Sequence, residues 1–167
     1  MAIYIIKDKS KKNRISIVIP KDLPREIGSV GETIVIDDIN DDIIIADKMK
    51  LLIDDLGQDV TLHLNSKNSN TGQMRNGVAN LTQRGICVKK NSIIDAIEND
   101  SIQDHVKIQR DNTKKDRKNM IKKDVVFNDP SPAGEFVKGC TSNGWDDWKI
   151  DNEISLNDYI RDKYGLQ

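Results

Sequence analysis

The side chains that could support catalysis or bind a metal are few in this chain of 167 residues. Its two histidines, His63 and His105, lie far apart and lack the short spacing that is typical of metal ligands. The two cysteines, Cys87 and Cys140, form no Cys-x-x-Cys pair, which argues against a zinc site. No phosphate-binding loop, nucleophile elbow or nuclease motif is present. The sequence therefore predicts a binding protein rather than an enzyme, with no metal and no cofactor.

Charge is distributed unevenly, although the formal net charge is only -1. Residues 7–14 carry five basic side chains and one acidic one, and residues 107–123 carry eight basic and two acidic ones. Residues 32–59 contain nine acidic and two basic side chains, and residues 124–167 contain nine and four. Because salt screens exposed charges beyond about 8–10 Å, a partner responds to each patch and not to the total. Each basic patch is either a solvated face or a surface that contacts DNA, and the acidic stretches favour solvent or a protein partner.

The residues predicted to contact nucleic acid form two groups. One is drawn from the basic patches, since Lys and Arg bind phosphates. The other lies around a C-terminal turn, where aromatic rings could stack on bases. The first group comprises Lys9, Lys11, Lys12, Arg14, Lys114, Lys115, Arg117 and Lys118, and the second comprises Ser142, Asn143, Trp145, Trp148 and Lys149. Core packing is the alternative for both tryptophans, because each ring can bury about 200 Å² and the chain has few other aromatic residues.

The elements that must position these residues divide into two modules. The N-terminal residues predict a strand at 15–19, a short helix at 21–28, and strands at 33–36 and 43–46 around an acidic hairpin loop. A module of this size buries too little apolar surface to form a core alone. It must therefore dimerise or pack against the rest of the chain.

The C-terminal part predicts a mixture of strands and helices. The expected strands are at 59–64, 77–82 and 85–90, and the expected helices are at 48–58, 92–100 and 107–123. These elements are followed by a strand, a helix that Ser131 caps and Gly139 ends, and an Asn-Gly turn. Another strand and a helix capped by Ser155 come last. The fold class is therefore α+β, with a short N-terminal β-hairpin module and a small antiparallel-sheet domain with two or three helices.

Residues 13–47 resemble the AbrB-like swapped-hairpin family. The shared pattern is Arg14 before a strand ending at Ile19-Pro20, then Leu23, Ile27-Gly28 and the Gly31-Glu32 turn before the acidic hairpin. The resemblance implies a module at 1–53, a homodimer with interleaved hairpins, and DNA contacts from basic residues on the first strand.

A second resemblance lies near the C-terminus. A helix that begins with Ser131-Pro132-Ala133 is followed by Asn143-Gly144-Trp145 and, three residues later, by Trp148. This pattern is similar to a domain of uncharacterised function that trails GIY-YIG nucleases, and to the restriction-enzyme and adenine-methylase-associated (RAMA-like) domain. It implies that residues 59–167 form a DNA-reading domain.

Three functions are consistent with these observations. The first is a non-enzymatic DNA-binding regulatory protein of bacterial or phage origin, acting as a homodimer. The second is a phage or mobile-element counter-defence protein (anti-CRISPR or anti-restriction) that inhibits a host nuclease by protein-protein contact. The third is an enzyme with an unrecognised site. No apolar run reaches the length of about 20 residues that spans a bilayer, and the cysteine content fits the cytoplasm.

Overall fold

A computed structural model describes residues 3–7, 15–18, 43–45, 48–57 and 60–164. The strands are β1 (Ile3–Lys7), β2 (Ile15–Val18), β3 (Ile43–Ile45), β4 (Thr61–Lys67), β5 (Met74–Thr82), β6 (Gly85–Val88), β7 (Val125–Phe127), β8 (Lys149–Ile150) and β9 (Ile154–Ser155). The helices are α1 (Lys48–Leu56), α2 (Asp104–Asn112), α3 (Pro130–Lys138), α4 (Gly144–Asp147) and α5 (Leu156–Tyr164).

The N-terminal strands form a three-stranded sheet in the order β2-β1-β3. Strand β1 pairs antiparallel with β2 and parallel with β3. The strands predicted at 15–19 and 43–46 are thus present in slightly shorter form, while β1 is an addition to the prediction. The helix predicted at 21–28, the strand at 33–36 and the acidic hairpin loop lie outside the described residues.

The larger sheet has six strands in the order β7-β6-β5-β4-β8-β9, and every neighbouring pair is antiparallel. With the helices, it confirms the predicted α+β class. Leu62 and Leu64 of β4 and Ala79 and Leu81 of β5 are buried, whereas the residues between them are more exposed. This period of two shows that one face of the sheet covers the core. The helix predicted at 48–58 is present as α1, and the short α4 is an addition to the prediction.

The core lies between this sheet and its helices. Phe136 of α3 packs on Phe127 of β7, with ring centroids 5.2 Å apart. Helix α1 contributes Leu51 and Leu52 to the same core, and its Asp55 accepts a 2.9 Å hydrogen bond from the hydroxyl of Tyr159. The helix predicted at 48–58 is therefore part of the packed unit, and a module boundary at residue 53 would cut through it.

The helix predicted at 92–100 is wrong, because this segment is extended. Ile93 forms antiparallel bridges with Asn76 of β5 and with Met120. The Ser92 hydroxyl does not cap a helix but accepts a 3.0 Å hydrogen bond from the Val78 amide. These bonds complete the sheet beyond the end of β6, so long-range pairing outweighs the helical spacing of the isoleucines.

The helix predicted over 107–123 is only half correct. Helix α2 spans Asp104–Asn112, and the extended backbone of Thr113 ends it. The remaining residues form a hairpin, since the Lys122 amide donates to the Lys114 carbonyl over 3.0 Å.

Helix α3 begins two residues earlier than the sequence predicted. Asp129 is the cap, because its carboxylate accepts a 2.9 Å hydrogen bond from the Ser131 amide. Pro130 occupies the first helical position, where its missing N–H costs nothing. Gly139 ends the helix with a φ of 66°, as predicted. The Ser155 cap of α5 is also confirmed by a 3.0 Å bond from the Asp158 amide to its hydroxyl.

Candidate nucleic-acid interface

The main cluster of basic side chains lies on a short antiparallel hairpin, residues 114–123, which we call the basic hairpin. Its two arms meet at a bridge between Lys115 and Ile121. The Asp116 amide donates to the Met120 carbonyl over 3.1 Å, which closes the loop. The basic residues predicted in this stretch are therefore displayed on paired backbone, not on the face of a helix.

Asp116 holds the loop of the basic hairpin together. Its carboxylate accepts hydrogen bonds from the Lys122 ammonium at 2.6 Å and from the amides of Lys118 and Met120 at 2.9 and 3.0 Å. The Lys122 bond, followed by the two amide bonds, lowers the pKa of Asp116 to about 2. This carboxylate is consequently ionised at neutral pH and holds the loop at three positions, 118, 120 and 122.

The basic hairpin is attached to the large sheet by the extended segment that precedes α2. The Ile121 amide donates to the Ser92 carbonyl at 3.0 Å, and the Asn91 amide donates to the Ile121 carbonyl at 2.9 Å. Ile121 itself is fully buried. Asn91 has a φ of 73°, the left-handed conformation that Asn adopts more readily than most residues. The hairpin is thus anchored by one core residue and by backbone bonds.

The cations of the basic hairpin are solvent-exposed, although partial burial lowers the pKa of Lys115. The exposed members are Lys114, Lys115, Arg117, Lys118, Lys122 and Lys123. Lys122 pairs with Asp116, but the other five make no ion pair with any residue that the structure describes. Exposed Lys90 also lacks such a partner and lies on the adjoining segment, where its amide donates to Asp124. A row of cations without carboxylate partners is suited to binding phosphate oxygens.

The predicted C-terminal group does not form a comparable surface. The prediction that Trp148 contacts nucleic acid is wrong, because its ring is 0% exposed, packs against Gly77 and donates to the Pro130 carbonyl at 3.2 Å. Ser142 is also buried, and its hydroxyl donates to Asp147 at 2.5 Å.

The other three members of that group keep some exposed surface. Trp145 is half-buried, and the Lys48 ammonium lies 5.9 Å from its ring centroid, so one face already has a cation over it. Asn143 is exposed and donates to Asp146, an acidic neighbour that repels phosphate. Lys149 is half-buried on β8, opposite His63 of β4. Core packing thus accounts for Trp148 and for most of the surface of Trp145.

The remaining predicted contacts, Lys9, Lys11, Lys12 and Arg14, lie outside the described residues. Sequence reasoning missed Lys90, which only becomes a neighbour of the basic hairpin through the pairing of 91–94 with 119–121. The Lys89-Lys90 pair was a signal in the sequence, but the helix predicted after it separated it from residues 114–123.

Within the described ranges, no three His, Cys, Asp or Glu side chains are grouped so as to hold a metal ion. Among the helices of the same ranges, none has the length and apolar character needed to cross a membrane.

Comparison with known proteins gives one match. The family described as "Domain of unknown function (DUF4357)" matches residues 68–160, which is more than half of the chain. No curated protein and no solved structure matches the chain. The match includes the basic hairpin, α3 and both tryptophans.

Proposed function

Since the chain belongs to the DUF4357 family, whose description states no activity, we propose a function from the geometry of the basic hairpin. The proposal is a non-enzymatic DNA-binding regulatory protein of bacterial or phage origin. The uncharacterised C-terminal domain supplies the main contact surface, and the N-terminal module supplies a second one.

The observation that carries the proposal is the set of five exposed, unpaired cations on an ordered hairpin. Phosphates of one DNA strand recur about every 3.4 Å along the axis, so a hairpin of this size can reach several of them. Because Asp116 and the backbone bonds already hold the loop, less conformational entropy is lost on binding than for a flexible basic tail. With a net charge of -1, the protein would bind through this patch and not through overall attraction.

The two resemblances support the finer parts of the proposal. The resemblance of the C-terminal domain to the domain trailing GIY-YIG nucleases, and to the RAMA-like domain, favours DNA as the partner. The AbrB-like resemblance of residues 13–47 favours a homodimer in which Lys9, Lys11, Lys12 and Arg14 provide further phosphate contacts. Such a regulator would act in the cytoplasm.

The test is a fluorescence-anisotropy titration of labelled duplex DNA at about 50 and 200 mM salt. The double variant R117A/K118A removes two unpaired cations of the basic hairpin. We expect it to weaken binding at least about tenfold at the lower salt and to reduce the salt slope by roughly two, because each lost phosphate contact removes about one released counterion.

The matched control is the double variant R84A/K67A. It removes the same two residue types, and both side chains are exposed without an ion pair among the described residues, but they lie in or beside other turns of the sheet. Binding by the control should equal that of the wild type. Equal losses in both double variants would show only a general charge effect and would contradict the assignment of the surface.

A second candidate function is supported by the exposed acidic side chains near the C-terminus. These are Asp146, Asp151, Glu153 and Asp162. Carboxylates can occupy a groove that normally receives phosphates, which would suit a counter-defence protein that inhibits a host nuclease. A protein that ignores duplex DNA at about 50 mM salt would exclude the regulator, and a nuclease pull-down would then test this alternative.

A further inference from the structure

The basic hairpin continues the large sheet. Asn76 of β5 forms an antiparallel bridge with Ile93, and Ile93 forms another with Met120 of the hairpin. The second arm of the hairpin follows through the bridge between Lys115 and Ile121. Four chain segments therefore lie side by side. With a spacing of about 4.8 Å between neighbours, they form a surface roughly 14 Å wide.

The side of this surface that faces away from the core, which we call the outer side, is identified by the alternation of side chains. Residues paired in an antiparallel bridge point to the same side, so Asn76, Ile93 and Met120 share one side. Their neighbours Gly77 and Ile121 are buried toward the core. Because successive side chains alternate, Asn76, Ile93 and Met120 lie on the outer side.

The hairpin presents two of its lysines on the outer side. Lys115 is paired with the buried Ile121 and so belongs to the core side. The alternation of side chains then places Lys114 and Asp116 on the outer side. Lys122 lies there too, because its ammonium donates a 2.6 Å hydrogen bond to Asp116. Lys114 and Lys122 therefore add cations to the outer surface.

The core side of the hairpin is poorly suited to DNA. Partial burial, followed by the charge of Arg110, lowers the pKa of Lys115. The carboxylates of Asp111 and Glu98 also act on this ammonium, and both side chains are exposed. A phosphate bound on this side would meet these two carboxylates, which repel it.

On the outer side, the carboxylates beside the hairpin are ion-paired. Asp116 pairs with Lys122, and Asp124, which alternates with the buried Val125, pairs with Lys89. Each of these lysines keeps further N–H groups that can donate to a phosphate. The outer side is therefore the electrostatically favourable side of the hairpin for a nucleic acid.

We propose that duplex DNA bound to the basic hairpin lies over the outer side of the sheet, so that the contact surface extends from the hairpin across residues 91–93 to β5. The inference rests on the proposed function and adds the side from which the duplex approaches. Lys114 and Lys122 contact phosphates, and the Asn76 amide donates to phosphate or sugar oxygens. Ile93 and Met120 pack against the sugars. Such contacts position a protein on a duplex without selecting a sequence.

The contact surface ends before β4. Asn65 of β4 donates a 2.9 Å hydrogen bond to the side chain of Asn152, which lies in the turn between β8 and β9. The same turn carries the exposed carboxylates of Asp151 and Glu153, and these repel phosphates. Lys67, at the end of β4, consequently lies outside the surface.

The direct test titrates the methyl-labelled full chain with an unlabelled duplex and follows the methyl signals by NMR. We expect saturable shifts at Ile93 and Met120. The matched control is Ile108 of α2, whose side chain is 60% exposed and whose signal should not move. Binding that leaves Ile93 and Met120 unshifted would overturn this inference alone, whereas absence of binding would overturn it together with the proposed function.

A second test adds a negative charge on each side of the sheet and measures duplex binding by fluorescence anisotropy. At about 150 mM salt, N76E should weaken binding about tenfold, because its carboxylate would lie against the phosphates. The control N99E changes another exposed asparagine, in the loop before α2, and the length of that helix separates it from the hairpin by about 13 Å. This exceeds the screening length of about 8 Å, so binding should change less than about twofold.

The two asparagine variants are read together with R117A/K118A, which reports on the hairpin itself. Wild-type affinity in N76E, or equal losses in N76E and N99E, would contradict the assignment of the outer side. If R117A/K118A still weakened binding in that case, the proposed function would stand without this inference.

Discussion

Arg110 is a buried charged side chain that connects α2 to α3 and to residues 95–98. Its guanidinium is 2% exposed and donates to the carbonyls of Phe136, Asp95 and Ile97 and to the carboxylate of Glu98 at 2.9 Å. Burial lowers the pKa of Arg110, and Glu98 opposes that shift. A charge can remain buried here because all three nitrogens of the guanidinium donate hydrogen bonds to oxygen atoms.

Replacing Arg110 with Met should destabilise the protein by about 3 kcal/mol, because three buried carbonyls and Glu98 lose their donor while the volume is kept. Urea denaturation followed by circular dichroism measures the loss. The exposed control R84M should change the free energy of unfolding by less than about 0.5 kcal/mol. A variant R110M as stable as the wild type would contradict this account of the buried fork.

The basic hairpin should be sensitive to acid through Asp116. Its pKa in the folded protein is about 2, below the ordinary value of 3.8. A carboxylate with a lowered pKa contributes its full stabilisation above the ordinary value, and that contribution is lost as the pH falls toward about 2. Hydrogen exchange at the amides of Lys118 and Met120 should therefore accelerate between pH 3.8 and about 2, beyond the intrinsic pH dependence. In D116N the acceleration should already be present at neutral pH.

At the scale of elements, a comparison of two glycines distinguishes the cost of a left-handed backbone from the cost of steric crowding. Gly139 at the end of α3 and Gly57 after α1 both have left-handed backbone, with φ of 66° and 74°. A Cβ at Gly139 would collide with the Ile97 carbonyl, whereas one at Gly57 would meet none of the described atoms within 4 Å.

We expect G57A to cost about 1 kcal/mol, the usual penalty for a left-handed alanine. G139A should cost clearly more, because the loop at Ile97 must also move. Thermal denaturation of the two variants gives the comparison. Equal losses would show that the contact between α3 and the loop relaxes without cost.

Whether an element could be predicted from the sequence depends on whether the hydrogen bonds that stabilise it are local or join residues far apart in the chain. The strands with alternating apolar residues and the helix ends at Gly139 and Ser155 were predictable, since caps and alternation are local signals. Residues 92–100 were not, because their isoleucines have helical spacing while their backbone pairs with Asn76 and Met120, far away in the sequence.

The candidate interface follows the same rule. The cations of residues 114–118 were evident from composition, but the hairpin that displays them depends on pairing with the segment at Asn91. Trp148 was ambiguous because a ring that stacks on bases and a ring that fills a core have the same sequence signature.

For the whole molecule, the packing of α1 shows that the folded unit of the large sheet includes residues from Lys48 onward. Leu51 and Leu52 are buried with the core of the large sheet, and Asp55 accepts from Tyr159 of α5. The match to residues 68–160 therefore covers less than the unit that packs together.

This predicts a difference between two truncations. A chain of residues 48–167 should be more stable than one of residues 60–167 by at least about 3 kcal/mol, since two buried leucines contribute roughly 1.5 kcal/mol or more each. Urea denaturation of both chains measures it. Equal stability would mean that α1 only rests on a core that is complete without it.

The basic hairpin is suited to the introduction of new side chains, because the residues that anchor it are distinct from those it exposes. Its base depends on backbone pairing, on the buried Ile121 and on Asp116, while the side chains at 114, 117 and 118 are exposed and make no ion pair with any residue that the structure describes. We expect those three positions to tolerate randomisation in a library without loss of the scaffold. Selection from such a library would give binders with new preferences on an unchanged fold.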